Sequence, residues 1–310
     1  MTGLPTRILG RTGAEVTQLG FGAMELHNLA AGPSTTAGEA GAILNAVLDA
    51  GITCIDTSPD YGESEERIGT LIAHRRDEYF LASKCGCVVG DPPPGESERP
   101  RHEYTPAVIR AGIEQSLRRM KTDHLDLVQL HGSPSRAELE EHGTLAEMLA
   151  LQAEGKVRFL GMSGTLPHLR DHIAMGVFDA FQIPYSAVQR EHEDLISAAA
   201  EAGAGIVIRG GVARGAPTNW EGRQVLGQPA KDPREAWQEA RIDDLLGEMS
   251  PHEFTLRFTL SHPQMHTTIV GTRDPAHLQE NLAAAAKGPL PNDLYEQAKR
   301  QLTGAGAAPA

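Results

Sequence analysis

ITCIDTSPDY (52–61), YFLASKC (79–85) and LDLVQLH (125–131) share one pattern: a short apolar, β-branched run that gives out at or just before a reactive polar side chain. Runs of that length and composition read as strands buried on both faces, as in a parallel sheet. Their polar ends are Asp56, Tyr61, Lys84 and His131. Neighbouring strands lie about 4.8 Å apart, so the ends of three consecutive strands bring these four groups within mutual reach without long loops. Together they read as one proton-transfer site.

Outward from these three runs, the same kind of segment recurs at 17–22, 157–163, 180–184, 205–209 and 267–271, which makes eight strands. Helical periodicity fills the intervals near 38–50, 64–74, 106–120, 143–154, 166–175, 190–202, 251–261 and 275–286. The third interval shows the period well: Ile109, Ile113 and Leu117 fall at i+4 steps, with Thr105 and Pro106 as N-cap and first-turn proline. Eight strand-then-helix units imply parallel strands joined by right-handed crossovers, and closing them gives a (β/α)8 TIM barrel, an α/β fold of one domain spanning 1–310. A doubly wound open sheet is the alternative. It is disfavoured because no strand runs into a GxGxxG turn and because polar strand ends come from nearly every unit. The opening TRILGRTGAEV is expected as an N-terminal hairpin at the barrel's bottom.

Three segments break the rhythm, 86–104, 132–142 and 212–249, and each follows a strand. They are expected as long loops at the C-terminal mouth, where barrels build specificity, with an extra helix near 233–248 in the last. Met24, Glu25 and these segments would wall a pocket. Trp220 and Trp237 can each cap that pocket or anchor the loop. The end, TGAGAAPA, is small and polar, so 303–310 is expected to be a disordered tail.

Composition narrows the function classes. Lys and Arg number 28 against 41 Asp and Glu, a formal net charge of −13, which repels phosphate backbones and anionic lipid. Nucleic-acid and membrane partners are therefore not expected. Three cysteines, Cys54, Cys85 and Cys87, make no disulfide framework and suit a reducing compartment. With no n-region and h-region in MTGLPTRILG, the expectation is a cytoplasmic protein. Cys85-x-Cys87 without a second spaced pair is a weak zinc signal, and His27, His102 and His192 show no ligand spacing, so no metal is assigned.

GITCIDTSPDYGESEERIG (51–69) resembles the Asp-Thr-x-x-x-Tyr-Gly-x-Ser-Glu signature of the aldo-keto reductases. DLVQLH and the Ser83-Lys84 pair resemble that family's later signatures, and IVGTRDPAHLQEN (269–281) its cofactor-phosphate segment; the similarity runs from about Thr6 to Ala286. The resemblance implies an NAD(P)H-dependent oxidoreductase that interconverts an aldehyde or ketone and an alcohol by hydride transfer, with Tyr61 as general acid. The residue chemistry agrees. Hydride delivery leaves alkoxide character on oxygen, which a positioned phenol can protonate. A neighbouring Lys84 ammonium would pull the phenol's pKa down, Asp56 would hold the buried ammonium charged, and His131 would orient the substrate oxygen as in the family.

For the cofactor, the resemblance implies Ser163 and Gln182 at the nicotinamide carboxamide, Arg209 stacking on the ring or pairing with pyrophosphate, Gly271, Thr272, Arg273 and His277 at the phosphate, and Glu280 and Asn281 at the adenine. Three departures are visible. Gly164 replaces the family's Asn after Ser163, and Gly271 and His277 stand where NADPH-demanding members place Lys or Arg. NADP(H) is the expected cofactor, with NAD(H) open. A sugar or polyol dehydrogenase using NAD is the near alternative, and a nucleotide-sensing regulatory subunit the distant one. The expected partner is a small carbonyl or alcohol substrate. Its identity and the oligomeric state are not legible, though monomers are common in the family.

Overall fold

A computed structural model of the chain describes residues 3–27, 35–88, 102–215 and 231–310. Residues β1 (Thr6–Ile8) and β2 (Glu15–Thr17) form an antiparallel hairpin. Eight strands follow: β3 (Leu19–Gly22), β4 (Cys54–Asp56), β5 (Phe80–Cys85), β6 (Leu125–Leu130), β7 (Val157–Ser163), β8 (Ala180–Pro184), β9 (Gly205–Arg209) and β10 (Thr267–Val270). They are parallel, pair in chain order, and close where β10 pairs with β3. Each of the eight expected runs holds one barrel strand, and the open-sheet alternative falls.

Alternation along the strands divides two cores. Cys54, Phe80, Ala82, Leu127, Ala180 and Val207 point into the barrel, where the hairpin's Leu9 and Val16 pack with them. Gly205, the first residue of β9, leaves room for this: a Cβ there would lie 2.7 Å from Leu9 Cγ. The hairpin thus closes the barrel's N-terminal end, as expected. Ile55, Leu81, Cys85, Val128, Leu130, Phe181 and Ile183 face outward into the larger layer between strands and helices. The inward parity that carries Cys54 and Ala82 at the bottom carries Asp56 and Lys84 one step higher.

The helices are α1 (Ala37–Asp49), α2 (Ser64–Leu71), α3 (Pro106–Met120), α4 (Arg136–His142), α5 (Thr144–Ala153), α6 (Leu169–Met175), α7 (Glu193–Glu201), α8 (Pro233–Glu239), α9 (Pro251–Leu260), α10 (Pro275–Ala286) and α11 (Asn292–Gly304). Several expectations are corrected. Segment 132–142 is not wholly loop, since Ser135 caps α4 by accepting from the Glu138 amide. Thr105 precedes α3 without a side-chain cap, because its hydroxyl donates to Glu103 instead. The extra helix stops at Glu239, where Arg241 takes a φ of 51°, and continues only as a short 3-10 turn. Helix α11 went unread although Tyr295, Ala298 and Leu302 mark its buried face.

Nor does the tail fray. Ala305 and Ala307 are buried, the Ala307 carbonyl accepts from Arg190, and the Ala310 amide donates to the Glu191 carbonyl. Small side chains allowed this close approach. Trp237 anchors rather than caps: it is buried, packs edge-on to Phe254, and donates from Nε1 to Asp243. Trp220, like much of 86–104 and 212–249, lies outside the described residues. Among the described residues, no helix is long and apolar enough to cross a membrane.

Three histidines give the fold an acid-sensitive seam. His192 Nε2, His262 Nδ1 and His266 Nδ1 each accept a backbone N–H, from Leu166, Gln264 and Ile206. Burial pushes all three imidazoles down to about 4. In the unfolded chain each binds its proton near pH 6.5, so between the two values the unfolded state holds more protons and is favoured. Stability is therefore complete above about pH 6.5 and falls as pH drops toward 4. Urea unfolding at pH 7 and pH 5 should show a lower midpoint at pH 5, and replacing His266 with Gln should flatten the dependence.

Candidate active site

Four inward-facing polar residues crown the apolar barrel interior. Lys84 and Asp56 are both buried, and the ammonium donates to Asp56 Oδ1 at 2.7 Å, Asp56 Oδ2 at 2.6 Å and the Thr57 carbonyl at 3.0 Å. Two amides complete the carboxylate's shell: Gln129 Nε2 at 2.8 Å and Gln182 Nε2 at 2.9 Å, both donating to Oδ2. Gln129 has space because β7 carries Gly161 opposite it, where a Cβ would sit 3.0 Å from Gln129 Cγ. A buried ion pair persists when its remaining lone pairs and protons are met, and here Asp56 gathers donors from β5, β6 and β8. Gln129 was missed in sequence, although its inward parity with His131 on LDLVQLH was a usable signal.

Tyr61 follows β4 on a turn closed by Tyr61 N to Ser58 O, 3.1 Å, and Ser64 N to Tyr61 O, 3.1 Å. The Ser64 hydroxyl ties that turn to Thr57 Oγ1 and to the Ala23 carbonyl. Glu65, next in the signature, is buried and accepts from Ser83 on β5. The ring of Tyr61 is half-buried and meets His131 edge-on at 6.3 Å between centroids. Among the described residues its hydroxyl has no hydrogen-bond partner. Burial, then the carboxylates of Asp56 and Asp60, hold the phenol well above its ordinary pKa, while Arg209 pulls the other way. The ammonium expected to lower it is itself bonded to both oxygens of Asp56.

His131 begins the segment after β6, its backbone fixed by His131 N to Cys85 O, 3.0 Å, and by Tyr104 Oη to His131 O, 2.5 Å. Its Nδ1 lies 3.3 Å from Asp60 Oδ2 and 3.4 Å from Cys87 Sγ. Burial alone would push Asp60 up, but hydrogen bonds with His131 and Ser58 and the nearby imidazoles bring it down to about 2. His102 Nε2 approaches the same carboxylate at 3.7 Å. Asp60 was not singled out in sequence, and Cys87 and His102 were weighed there as metal ligands only with Cys85 or with other histidines; the Gly86 turn, φ +86°, separates Cys87 from Cys85, and Cys87 instead pairs with His102 across an isolated bridge.

The expected cofactor residues are placed unevenly. Ser163 ends β7, Gln182 pairs with it from within β8, and Arg209 ends β9, on consecutive strands of the barrel. With the Gln182 NH2 engaged by Asp56, its Oε1 remains 3.5 Å from Ser163 Oγ. An acceptor beside a hydroxyl is what a carboxamide needs, so the nicotinamide end fits. At Gly164 a Cβ would sit 2.9 Å from Leu169 Cδ1, so the family's Asn would require that side-chain tip to shift. Gly271 likewise tolerates no side chain without movement, since its Cβ would lie 2.7 Å from the Gly22 carbonyl oxygen.

At the other end, Thr272 Oγ1 accepts from the Asp274 amide, and Asp274 caps α10 by accepting from the Ala276 amide. The carboxylate already occupies part of the helix N-terminus expected for phosphate. Arg273 is half-buried, and its charge reaches Glu39. His277 and Glu280 are exposed, whereas Asn281 is buried with Oδ1 2.7 Å from His252 Nε2 on α9. The structure does not bring Asn281 and Glu280 to a common exposed face.

A closed eight-stranded barrel with this ion pair and tyrosine at its C-terminal rim defines an oxidoreductase scaffold of one particular family. Residues 18–301 match the model of the Aldo/keto reductase family, and the chain belongs to it. It is 28% identical over 293 residues to the uncharacterized oxidoreductase YqkF of Bacillus subtilis (strain 168), covering 90% of each chain. To L-galactose dehydrogenase of Arabidopsis thaliana it is 26% identical over 309 residues, covering 93% of this chain and 90% of that one. Among solved structures, the holo form of aldo-keto reductase AKR11C1 from Bacillus halodurans matches with a TM-score of 0.82 at 26% identity over 96% of each chain.

Proposed function

We propose that the protein reduces an aldehyde or ketone to an alcohol, with Tyr61 as the proton donor and His131 orienting the carbonyl oxygen. The observation that carries this reading is the Tyr61 hydroxyl, with no hydrogen-bond partner among the described residues, on the turn that follows Asp56 and its buried Lys84 partner, with the ring edge-on to His131. Bound reduced nicotinamide would supply the hydride. Ser163 and Gln182 would hold its carboxamide and Arg209 would lie toward its ring or pyrophosphate. As oxygen gains negative charge, a phenol held protonated by burial and two carboxylates is in the state required to donate.

Cofactor choice follows from the far end of the site. Arg273 and Thr272 favour a 2′-phosphate, but Asp274 and Glu39 set negative charge close by, and Gly271 admits no basic side chain. NADP(H) is preferred over NAD(H) by no more than about tenfold, a difference of about 1.4 kcal/mol. Fluorescence titration with both reduced cofactors tests this, and a preference of several hundredfold would contradict it. The sugar-dehydrogenase alternative draws on the similarity to L-galactose dehydrogenase. Assaying a panel of aldehydes with NADPH and of free sugars with NAD decides between the two. Tight cofactor binding without turnover of either class would sink both in favour of a regulatory role.

A further inference from the structure

We propose that Asp60, Cys87, His102 and His131 form a zinc-type metal site that pins three mouth segments of the barrel together. One ligand atom from each lies within 4.8 Å of all the others. Zinc bonds of about 2.0–2.3 Å to oxygen, nitrogen and sulfur in a tetrahedron place the ligands about 3.3–3.7 Å apart. Three of the six pairs fall in that range, Asp60 Oδ2 to His131 Nδ1 at 3.3 Å, Cys87 Sγ to His131 Nδ1 at 3.4 Å and Asp60 Oδ2 to His102 Nε2 at 3.7 Å, and the whole set lies within 4.8 Å, a small contraction from tetrahedral coordination.

A second observation points to a ligand independently. Among the described residues His102 Nε2 is buried and has no hydrogen-bond partner, an unusual state for a ring nitrogen beside a carboxylate and a thiol. A metal ion would satisfy it. The backbone already holds the ligands in place. Cys87 and His102 pair as an isolated antiparallel bridge, the Glu103 amide donates to the Gly86 carbonyl at 2.8 Å, and Tyr104 Oη holds the His131 carbonyl. The His102 ring packs against Gly132, where a Cβ would lie 3.1 Å from its Nδ1. Ser58 flanks the set, its hydroxyl donating to Asp60 Oδ1 and lying 3.7 Å from Cys87 Sγ.

Thiolate, two imidazoles and one carboxylate select zinc over magnesium or calcium, which prefer oxygen alone. Four protein ligands leave no open position, so the metal's role is structural, tying the turn after β4 to the segments after β5 and β6. The inference shares His131 with the carbonyl-reductase reading, through its Nδ1, and is tested by metal binding, which turnover does not enter.

The test uses the full chain, stripped with a chelator and dialysed. Zinc titration against a chromophoric competitor should show one equivalent bound, and the melting temperature should rise with zinc and not with magnesium. Cobalt substitution should give intense visible bands of tetrahedral geometry with a thiolate charge-transfer band. Cys87→Ser should abolish that band although Cys54 and Cys85 remain, and should weaken zinc binding by more than about 100-fold. His102→Ala should weaken zinc binding comparably while keeping the thiolate band. Absence of stoichiometric zinc binding, unchanged affinity in both variants, or a cobalt spectrum without thiolate character would each overturn the proposal. Should Cys87→Ser fail to fold, His102→Ala decides it alone.

Discussion

Tyr61→Phe is expected to lower kcat for carbonyl reduction by about 10³-fold, within the range a positioned general acid contributes, and to leave cofactor affinity unchanged. Its effect on stability should be small, within about 0.5 kcal/mol, because the hydroxyl it removes makes no hydrogen bond among the described residues and leaves no partner stranded. That combination separates a chemical role from a structural one. A phenol that merely filled space would lose neither turnover nor fold when its oxygen is deleted. The comparison is a steady-state assay beside a urea denaturation curve on the same preparations. Full turnover in the Phe variant would remove Tyr61 from the chemistry.

The second large effect concerns the buried ion pair. Lys84→Met leaves the Asp56 carboxylate buried with, among the described residues, the Gln129 and Gln182 amides as side-chain donors, and is expected to cost about 3–5 kcal/mol of stability. Asp56→Asn strands the ammonium in the same way. The double variant Asp56→Asn/Lys84→Met removes both charges and keeps the shape, so it should be destabilised by clearly less than the sum of the singles. All three should lack carbonyl reduction. Additive single costs in the urea cycle would mean that the two groups do not act as a pair.

Much of this was legible in the chain. Parallel strands buried on both faces are short continuous apolar runs, and each of the eight reads as one because water contacts neither side. The polar ends of three of them marked Asp56, Lys84 and His131 for the same reason: a charge at the end of an apolar run must face something that compensates it. What stayed hidden depends on packing between distant segments. Helix α11 is mostly polar, with a narrow apolar stripe of Tyr295, Ala298 and Leu302, and the tail's alanines read as disorder although contacts to Arg190 and Glu191 seat them. The cluster of Cys87 and His102 with Asp60 and His131 arises from one left-handed glycine and an isolated bridge, neither of which follows from spacing. Sequence also shows which charges are present and not which of them pair, as Lys84 does with both oxygens of Asp56.

The most direct measurement of the central claim is a single turnover with nicotinamide cofactor deuterated at the transferring position and a reactive aldehyde in ordinary water, followed by mass spectrometry of the alcohol. Deuterium bound to the carbinol carbon in the wild-type product, with formation slowed about 10³-fold in Tyr61→Phe, is the predicted result. Alcohol carrying no deuterium, or equal rates in the two proteins, would contradict it.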